Sequence, residues 1–293
     1  MILEYTVTRP AKLLSVLRRE LALSDSLVSR LKWQNAFSVN GIPAHTNYIV
    51  RPGDVVRVEI TEQAEGFDPE PMELSVLYED EALIALDKPA GMLVHPSPAR
   101  NTGTLANGLL YYYEQRGTSA AIHPVTRLDR DTFGVVLFAK SAHVHAQFCK
   151  MLRDGSLQKT YHAAVFGGPS APAGLIDLPI GRVGAGSLLR KIDPTGKPAR
   201  TRFTVLSRTP QTALLALAPE TGRTHQLRLH CQSCGFPILG DPQYCTDASK
   251  AFSDALGLTH QQLCAFRLSF PHPLTGTPMQ IISAQDVRST QTK

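Results

Sequence analysis

From residue 74 onward, short apolar runs alternate with turn residues, and this alternation limits the folds that the chain can adopt. Short apolar runs bounded by Gly, Pro, Asn or Asp are typical of strands. Two long segments, 105–115 and 142–152, have helical spacing instead, and a third helix can follow Thr221-Gly222. Many short strands with few helices predict an α+β domain with a large, mainly antiparallel sheet flanked by helices. The predicted strands cover 74–78, 82–86, 93–95, 135–139, 159–167, 203–206, 213–217, 263–270 and 279–282.

The first 60 residues follow a different pattern and predict a separate small α/β domain, 1–60. Apolar residues recur at helical spacing over 13–21, and Ser24 or Asp25 can cap a second helix. A strand then leads into the turn-forming pair Asn40-Gly41. Four cations on or near the helices can contact a phosphate backbone: Arg18, Arg19, Arg30 and Lys32.

Charge separates the two predicted domains and indicates a nucleic-acid partner. Residues 61–81 contain eight acidic residues and no Lys or Arg. The rest of the chain is therefore more basic than its net charge of +5 suggests, and basic proteins favour polyanions. Because Gly and Pro interrupt the acidic stretch, we predict a linker at 61–73, a second domain at 74–285 and a tail at 286–293.

The sequence predicts a monomeric cytoplasmic protein without a membrane span. No segment is apolar and long enough to cross a bilayer, and the N-terminal residues lack the apolar core of a signal peptide. The five cysteines are an odd number in a chain too long to need disulfides, which indicates reduced thiols. Cys231 and Cys234 form one CxxC, but the second ligand pair of a zinc motif is missing, so we expect no metal.

The stretch 123–134 places two carboxylates, Asp129 and Asp131, among Arg127 and Arg130, just before an apolar run. Nearby positive charge favours the ionised form of a carboxyl group. An ionised carboxylate beside a strand suits a nucleophile or a general base. The alternative is a solvated loop whose ion pairs contribute little.

A second polar stretch, 221–230, combines a turn at Thr221-Gly222 with several basic side chains, among them His225 and Arg228. The turn can open a helix, and the free amides at a helix start attract anions. A polar, basic helix is unusual in a hydrophobic core and is suited to a binding or catalytic site. Tyr161 lies in a predicted strand, where it is either a core residue or a flat surface for a base.

The N-terminal domain resembles the small RNA-binding domain named after ribosomal small-subunit protein four. The matching residues are Ser29-Arg30-Leu31, Val39-Asn40-Gly41 and the block from Arg51 to Val56. The turn Trp33-Gln34-Asn35-Ala36 is less basic than in that domain and lacks its glycine. The resemblance implies that this domain contacts RNA. Because the turn is less basic, we expect its affinity for RNA to be reduced.

Residues 74–283 resemble pseudouridine synthases of the RluA class, because the blocks of that family occur here in its order. They are the entry block Leu86–His95, the acidic block Arg127–Thr132 with Gly134, the tyrosine block Lys159–Tyr161 with Gly167, the arginine block Gly222–His230, and Pro237–Asp241 with Tyr244. The resemblance implies the pseudouridine synthase fold and an enzyme that isomerises uridine in RNA, more often ribosomal than transfer RNA, without a cofactor.

The resemblance also implies a role for each matched residue. Asp129 is the catalytic carboxylate, Arg228 is its ion-pair partner, and Tyr161 stacks on the uracil. The uridine must leave its stack to reach a carboxylate, and a flat side chain and a cation can replace what it loses. The expected RNA contacts are Arg127, Arg130, Arg223 and His225, in addition to Arg18, Arg30 and Lys32.

Four residues depart from the family pattern: Thr126, Phe133, Phe236 and Cys264. Phe133 is bulky and close to Asp129, so we expect it to narrow the pocket. Because of these departures, the alternative function is that of an RNA-binding or ribosome-assembly protein with the same fold and weakened activity. A magnesium-dependent phosphatase fits less well: the spacing of Asp129, Asp131 and Thr132 matches its motif, but the parallel-strand context is missing. A glycosidase fits least, because the two carboxylates are too close to flank a sugar bond.

Overall fold

The structure, a computed structural model, describes residues 2–60, 66–97, 100–118, 120–184, 187 and 189–287. Parts of the predicted linker and tail, residues 61–65 and 288–293, lie outside the described residues. None of the helices in the described ranges is both long and apolar enough to cross a membrane.

The N-terminal unit has its own apolar core between two short helices and two small sheets. Strands β1, β6, β3 and β4 pair in that order, and β2 pairs with β5. The bounds are β1 Ile2–Thr6, β2 Ala11–Lys12, α1 Leu13–Arg19, α2 Asp25–Lys32, β3 Phe37–Val39, β4 Ile42–Pro43, β5 Ile49–Val50 and β6 Val55–Glu59.

Local sequence signals set the turns of this unit. The Ser24 side chain accepts a hydrogen bond from the Leu27 amide and so caps α2. Asn40 and Gly41 both have positive φ, 50° and 81°, as the predicted tight hairpin turn requires. Asn35 has a φ of 50°, so an asparagine adopts the left-handed conformation in the turn that lacks the expected glycine.

The larger unit is built on a ten-stranded, mainly antiparallel sheet, so the predicted α+β class is confirmed. Its path is β12-β15-β16-β11-β17-β10-β8-β7, with β18 beside β17 and β9 beside β10. Of the pairings described in this sheet, β10 with β17 is parallel. The strands are β7 Val76–Glu79, β8 Leu83–Lys88, β9 His123–Pro124, β10 Phe133–Ala139, β11 Gln158–Phe166, β12 Ala173–Asp177, β13 Ile180–Arg182, β14 Arg190–Ile192, β15 Arg200–Arg208, β16 Thr212–Pro219, β17 Leu263–Pro271 and β18 Pro278–Ile282.

Helices cover both faces of the centre of this sheet. Alternate residues of β8 and β10 point to opposite faces. Val135 and Leu137 join a core cluster with α4, whereas Val136 and Phe138 join one with α3. Both faces are therefore buried, which explains why β10 is an uninterrupted apolar run. The helices are α3 Leu105–Gln115, α4 Ala142–Asp154, α5 Gln226–Ser233 and α6 Asp247–Ala255.

Several local predictions differ from the structure: strands β12, β13 and β14 were not predicted, and three further differences have a visible cause or signal. Residues 93–95 form no strand beyond one isolated bridge, because the carbonyls of Leu93 and Val94 accept hydrogen bonds from the first amides of α3 instead. Helix α6 was missed, although Thr246 starts it with a capping box. The second half of the predicted linker packs on the larger unit, where the Glu70 side chain accepts a hydrogen bond from the Gly103 amide at 2.8 Å.

Gly134 provides a test of how closely β10 approaches β17. Its φ is +104°, and a Cβ atom there would lie 2.5 Å from the Ala265 carbonyl oxygen. We expect Gly134→Ala to lower the free energy of unfolding by at least about 2 kcal/mol, measured by denaturant titration. Gly117→Ala is the matched control, because Gly117 has a φ of +61° but nothing within 4 Å. Equal losses in the two variants would mean that strain in φ, and not the strand contact, sets the cost.

Candidate active site

Asp129 lies in the short segment between β9 and β10, and side-chain hydrogen bonds hold both ends of that segment. The Thr126 hydroxyl accepts a hydrogen bond from the Leu137 amide at 3.0 Å. The Thr132 hydroxyl accepts one from Gln261 Nε2 at 2.5 Å. The carboxylate is thus presented from a fixed loop at the edge of a buried strand.

A fully buried lysine, Lys88 at the end of β8, is hydrogen-bonded to the same loop. Its ammonium donates hydrogen bonds to three backbone carbonyls, those of Pro89, Met92 and Arg130, at 2.9, 2.7 and 2.9 Å. Burial lowers the pKa of Lys88 to about 8, while the charges of Asp131 and Asp129 act in the opposite direction. Lys88 therefore connects the entry block to the acidic block.

Arg228, in the first turn of α5, joins two carboxylates. Its Nη1 donates to Asp129 Oδ2 at 3.1 Å. Its Nε and Nη2 donate to the two oxygens of Asp241 at 2.7 and 2.8 Å, and Nη2 also donates to Gln243 at 2.9 Å. Burial alone would raise the pKa of Asp241, but the hydrogen bonds and charge of Arg228 outweigh it and lower that pKa. Asp241 was missed as a site residue, although the matched block that ends on it was a signal.

His225 lies immediately before α5 in the left-handed conformation, with a φ of 57°. Its Nδ1 is 3.0 Å from the Tyr244 hydroxyl, and its Nε2 is 3.9 Å from Asp129 Oδ2. Burial lowers the pKa of His225, and so do the charges of Arg228 and Arg190, whereas Asp129 acts in the opposite direction. The imidazole is therefore neutral near pH 7 and faces the carboxylate.

These groups open into one cavity of about 610 Å³, a volume suited to a nucleotide-sized ligand. Tyr161 and Lys159, two residues apart on β11, both line it. Burial raises the pKa of Tyr161, and the charge of Asp129 adds to this, so the phenol stays protonated. Burial lowers the pKa of Lys159, a cavity cation that the sequence interpretation missed.

The structure brings six of the predicted site residues to this cavity: Asp129, Tyr161, Arg228, Arg127, Arg223 and His225. Arg127 is exposed at the rim, and Arg223 Nε donates to the Pro198 carbonyl at 3.0 Å. The described cavity lining does not include Arg130, whose guanidinium forms two 3.1 Å hydrogen bonds with Asp131. Arg18, Arg30 and Lys32 lie on the N-terminal unit, where Arg18 pairs with Asp25 at 2.6 Å.

Helix α5 begins later than the turn at Thr221-Gly222 predicts. The Gln226 side chain accepts hydrogen bonds from the Thr221 hydroxyl and the Arg223 amide at 2.8 and 3.0 Å. These bonds fold residues 221–225 into a loop, and the helix starts at Gln226. As a result, the loop side chains point along the cavity wall while Arg228 projects from the first helical turn.

One of the four departures from the family pattern, Phe133, does not act as expected. Phe133 does not line the cavity within the described residues: it is buried and packs edge-to-face on His260, so the expectation that it narrows the pocket was wrong. Phe236 and Cys264 are also buried in apolar clusters. Thr126 alone of the four lines the cavity.

The cysteines give no sign of a metal centre in the part of the chain that the structure describes. Cys231 is fully buried whereas Cys234 is exposed. No group of three or more His, Cys, Asp or Glu side chains there is arranged to hold a metal ion.

Comparison with known proteins identifies the family. Residues 82–233 match the family model described as RNA pseudouridylate synthase. One relative, "Uncharacterized RNA pseudouridine synthase YlyB" of Bacillus subtilis, is 39% identical over 243 residues, covering 81% of this chain and 78% of the relative. Another, "Ribosomal large subunit pseudouridine synthase D" of Nitrosomonas europaea, is 36% identical over 274 residues, covering 90% of this chain and 79% of the relative.

Among solved structures, human RNA pseudouridylate synthase domain containing 4 matches with a TM-score of 0.59 and 26% identity. The match covers 73% of this chain and 89% of that one. The resemblance that the ordered sequence blocks predicted is therefore confirmed at the level of family and catalytic fold.

Proposed function

The chain belongs to the RNA pseudouridylate synthase family and is an RNA pseudouridine synthase, and from this premise we propose that it modifies large-subunit ribosomal RNA through the Asp129 carboxylate, as a monomer and without a cofactor. The choice of RNA is supported by relatives named ribosomal large subunit pseudouridine synthase D. The observation that carries the assignment of the site is the 3.1 Å contact between Asp129 Oδ2 and Arg228 Nη1 inside the cavity.

The reaction breaks the bond from the ribose to uracil N1 and forms one from the ribose to C5. The proton lost from C5 is balanced by the proton gained at N1, so the reaction is an isomerisation without a net co-reactant. A carboxylate paired with Arg228 can act as a nucleophile or as a base in this exchange. The protonated phenol of Tyr161 suits stacking on the uracil better than proton abstraction.

The cations around the cavity suit the phosphates of a flipped-out nucleotide. Arg127 is exposed at the rim and makes no hydrogen bond or ion pair within the described residues. Lys159 and Arg223 line the same cavity. These cations can replace the interactions that a uridine loses when it leaves its stack.

A tritium-release assay tests the proposed reaction. Purified protein is incubated with large-subunit ribosomal RNA or transfer RNA that carries tritium at uracil C5. We expect release from the ribosomal RNA, because C5 exchanges its hydrogen for the ribose bond. RNA binding without release from either substrate would instead support an RNA-binding scaffold with weakened activity.

We also propose that the N-terminal unit contacts RNA through its exposed cations. Lys32 is exposed and is followed by Trp33, which is 84% exposed and is the single tryptophan of the chain. We expect RNA to quench Trp33 fluorescence, and Lys32→Ala to reduce the slope of log affinity against log salt by about 0.7 to 1, the value of one phosphate contact. Lys250→Ala, on α6, is the control cation. An unchanged slope in Lys32→Ala would remove Lys32 from the RNA contact.

A further inference from the structure

The two nitrogen groups that approach Asp129 converge on the same carboxylate oxygen. Arg228 Nη1 is 3.1 Å from Oδ2, and His225 Nε2 is 3.9 Å from that same atom. Oδ1 receives no hydrogen bond from any residue in the described ranges, although Asp129 lines the cavity. A carboxylate held through one oxygen presents the other one, with its lone pairs free, to whatever enters the cavity.

The hydrogen bonds around Tyr244 determine where the proton of His225 lies. The Arg190 backbone amide can only donate, and it is 2.9 Å from the Tyr244 oxygen. That oxygen therefore accepts from Arg190. Among the described residues, His225 Nδ1, 3.0 Å away, is the acceptor within reach of the hydroxyl hydrogen, and we infer that Tyr244 donates to it. Nδ1 is then an acceptor, and the neutral ring must carry its proton on Nε2, the nitrogen that faces Asp129.

The backbone of His225 shows that this orientation is imposed by the surrounding structure. A positive φ is uncommon for residues other than glycine, and such conformations persist where the surrounding structure fixes them, often at active sites. The φ of 57° turns the imidazole between Tyr244 and Asp129. An extended backbone at residue 225 would point the ring elsewhere.

We propose that His225 is a positioning residue: Arg228 holds Oδ2 of Asp129, the Nε2–H of His225 faces the same oxygen from 3.9 Å and closes on it when the nucleotide binds, and Oδ1 is the oxygen that acts on the nucleotide. This inference rests on the proposed catalytic role of Asp129, and it replaces an RNA contact as the main role of His225. Tyr244 contributes by fixing the tautomer. A partner of this kind, which orients a reacting group without touching substrate, affects turnover more than substrate binding.

Replacing His225 by asparagine or by glutamine separates this role from a merely structural one. The amide nitrogen of glutamine can occupy the position of Nε2, whereas asparagine reaches only as far as Nδ1 and tolerates a positive φ. We expect His225→Asn to lower kcat by about 10- to 100-fold with KM within about threefold, and His225→Gln to recover most of that loss. Tyr244→Phe should lower kcat in the same way, because the tautomer is no longer fixed.

The tautomer can be measured on the free protein without any activity. In the wild type labelled with ¹⁵N-histidine, the His225 signals are those that disappear in His225→Asn. We expect shifts of a protonated Nε2 and an unprotonated Nδ1. A proton on Nδ1, equal losses in the Asn and Gln variants, or a change confined to KM would each overturn the inference. If the wild type released no tritium from RNA, the proposed function would fail, whereas the NMR result would still decide the tautomer.

Discussion

Asp129→Asn is expected to abolish pseudouridine formation, with a fall in kcat of at least about 10⁴-fold, the scale seen when a residue that acts on the reacting atoms is removed. The amide has almost the same shape as the carboxylate but can neither attack carbon nor accept a proton. Tritium release from RNA labelled at C5, measured under single-turnover conditions, gives the rate. RNA affinity should stay within about threefold, because Asp129 is an anion and is not a phosphate contact.

Asp131→Asn is the matched control for this prediction. Asp131 is two residues away and carries the same group, but it is bound to Arg130 at 3.1 Å outside the described cavity lining. We expect a change in kcat below about tenfold, as for a surface ion pair that contributes little. If Asp129→Asn retained more than a few per cent of wild-type turnover, the carboxylate assignment would be wrong.

Arg228→Met is expected to lose turnover and stability together. Without the guanidinium, Asp129 loses its positive partner, and we expect kcat to fall at least about 10³-fold. Asp241, whose side chain is 0% exposed, is left as a buried charge without its partner, which costs about 3–5 kcal/mol of unfolding free energy. Chemical denaturation measures the second effect separately from the first.

The double variant Arg228→Met/Asp241→Asn separates folding from catalysis. It removes the buried charge as well as its partner, so stability should largely return while turnover stays lost. Recovery of turnover in the double variant would show that Arg228 acts only by supporting the fold.

The pH dependence of stability gives the same distinction. In the wild type, the pKa of Asp241 lies below its ordinary value of 3.8, so its contribution is present above that value and is lost as pH falls through the lowered pKa. In Arg228→Met, burial raises that pKa, and stability should increase as pH falls through it. In unfolding titrations from neutral to acid pH, the contribution of Asp241 to the slope therefore has opposite signs in the two proteins, and the difference between the two titrations measures it.

The sequence predicts those parts of the fold that depend on neighbours along the chain. The capping serine at Ser24, the Asn40-Gly41 turn and the boundaries of α3 each follow from a few adjacent residues, and the structure agrees with them. The start of α5 does not follow from its neighbours, because the Gln226 side chain folds the preceding loop through two hydrogen bonds. Helical spacing alone cannot reveal such a competition.

The partners of the candidate site were harder to predict for a similar reason. Asp241 and Tyr244 reach Arg228 and His225 only after α5 and the following loop have packed together. Ordered blocks that resemble a family indicate which residues belong to a site, but spacing along the chain does not reveal which oxygen of Asp129 is occupied. Phe133 illustrates the same limit: it is close to Asp129 in sequence, yet β10 turns its ring to the far side, onto His260.

The ammonium group of Lys88 stabilises the loop that carries Asp129 in the way that a bound potassium ion could, but it is covalently attached to the chain. Its ammonium is surrounded by three carbonyl oxygens from the turn after β8 and the loop before β10, much as a dehydrated monovalent cation would be. A free ion in that position would dissociate when the surrounding salt changed. The ammonium group of Lys88 is part of the chain and therefore stays in place. The geometry of the loop should therefore be insensitive to the identity of the monovalent salt, even though binding of a polyanionic substrate depends strongly on salt concentration.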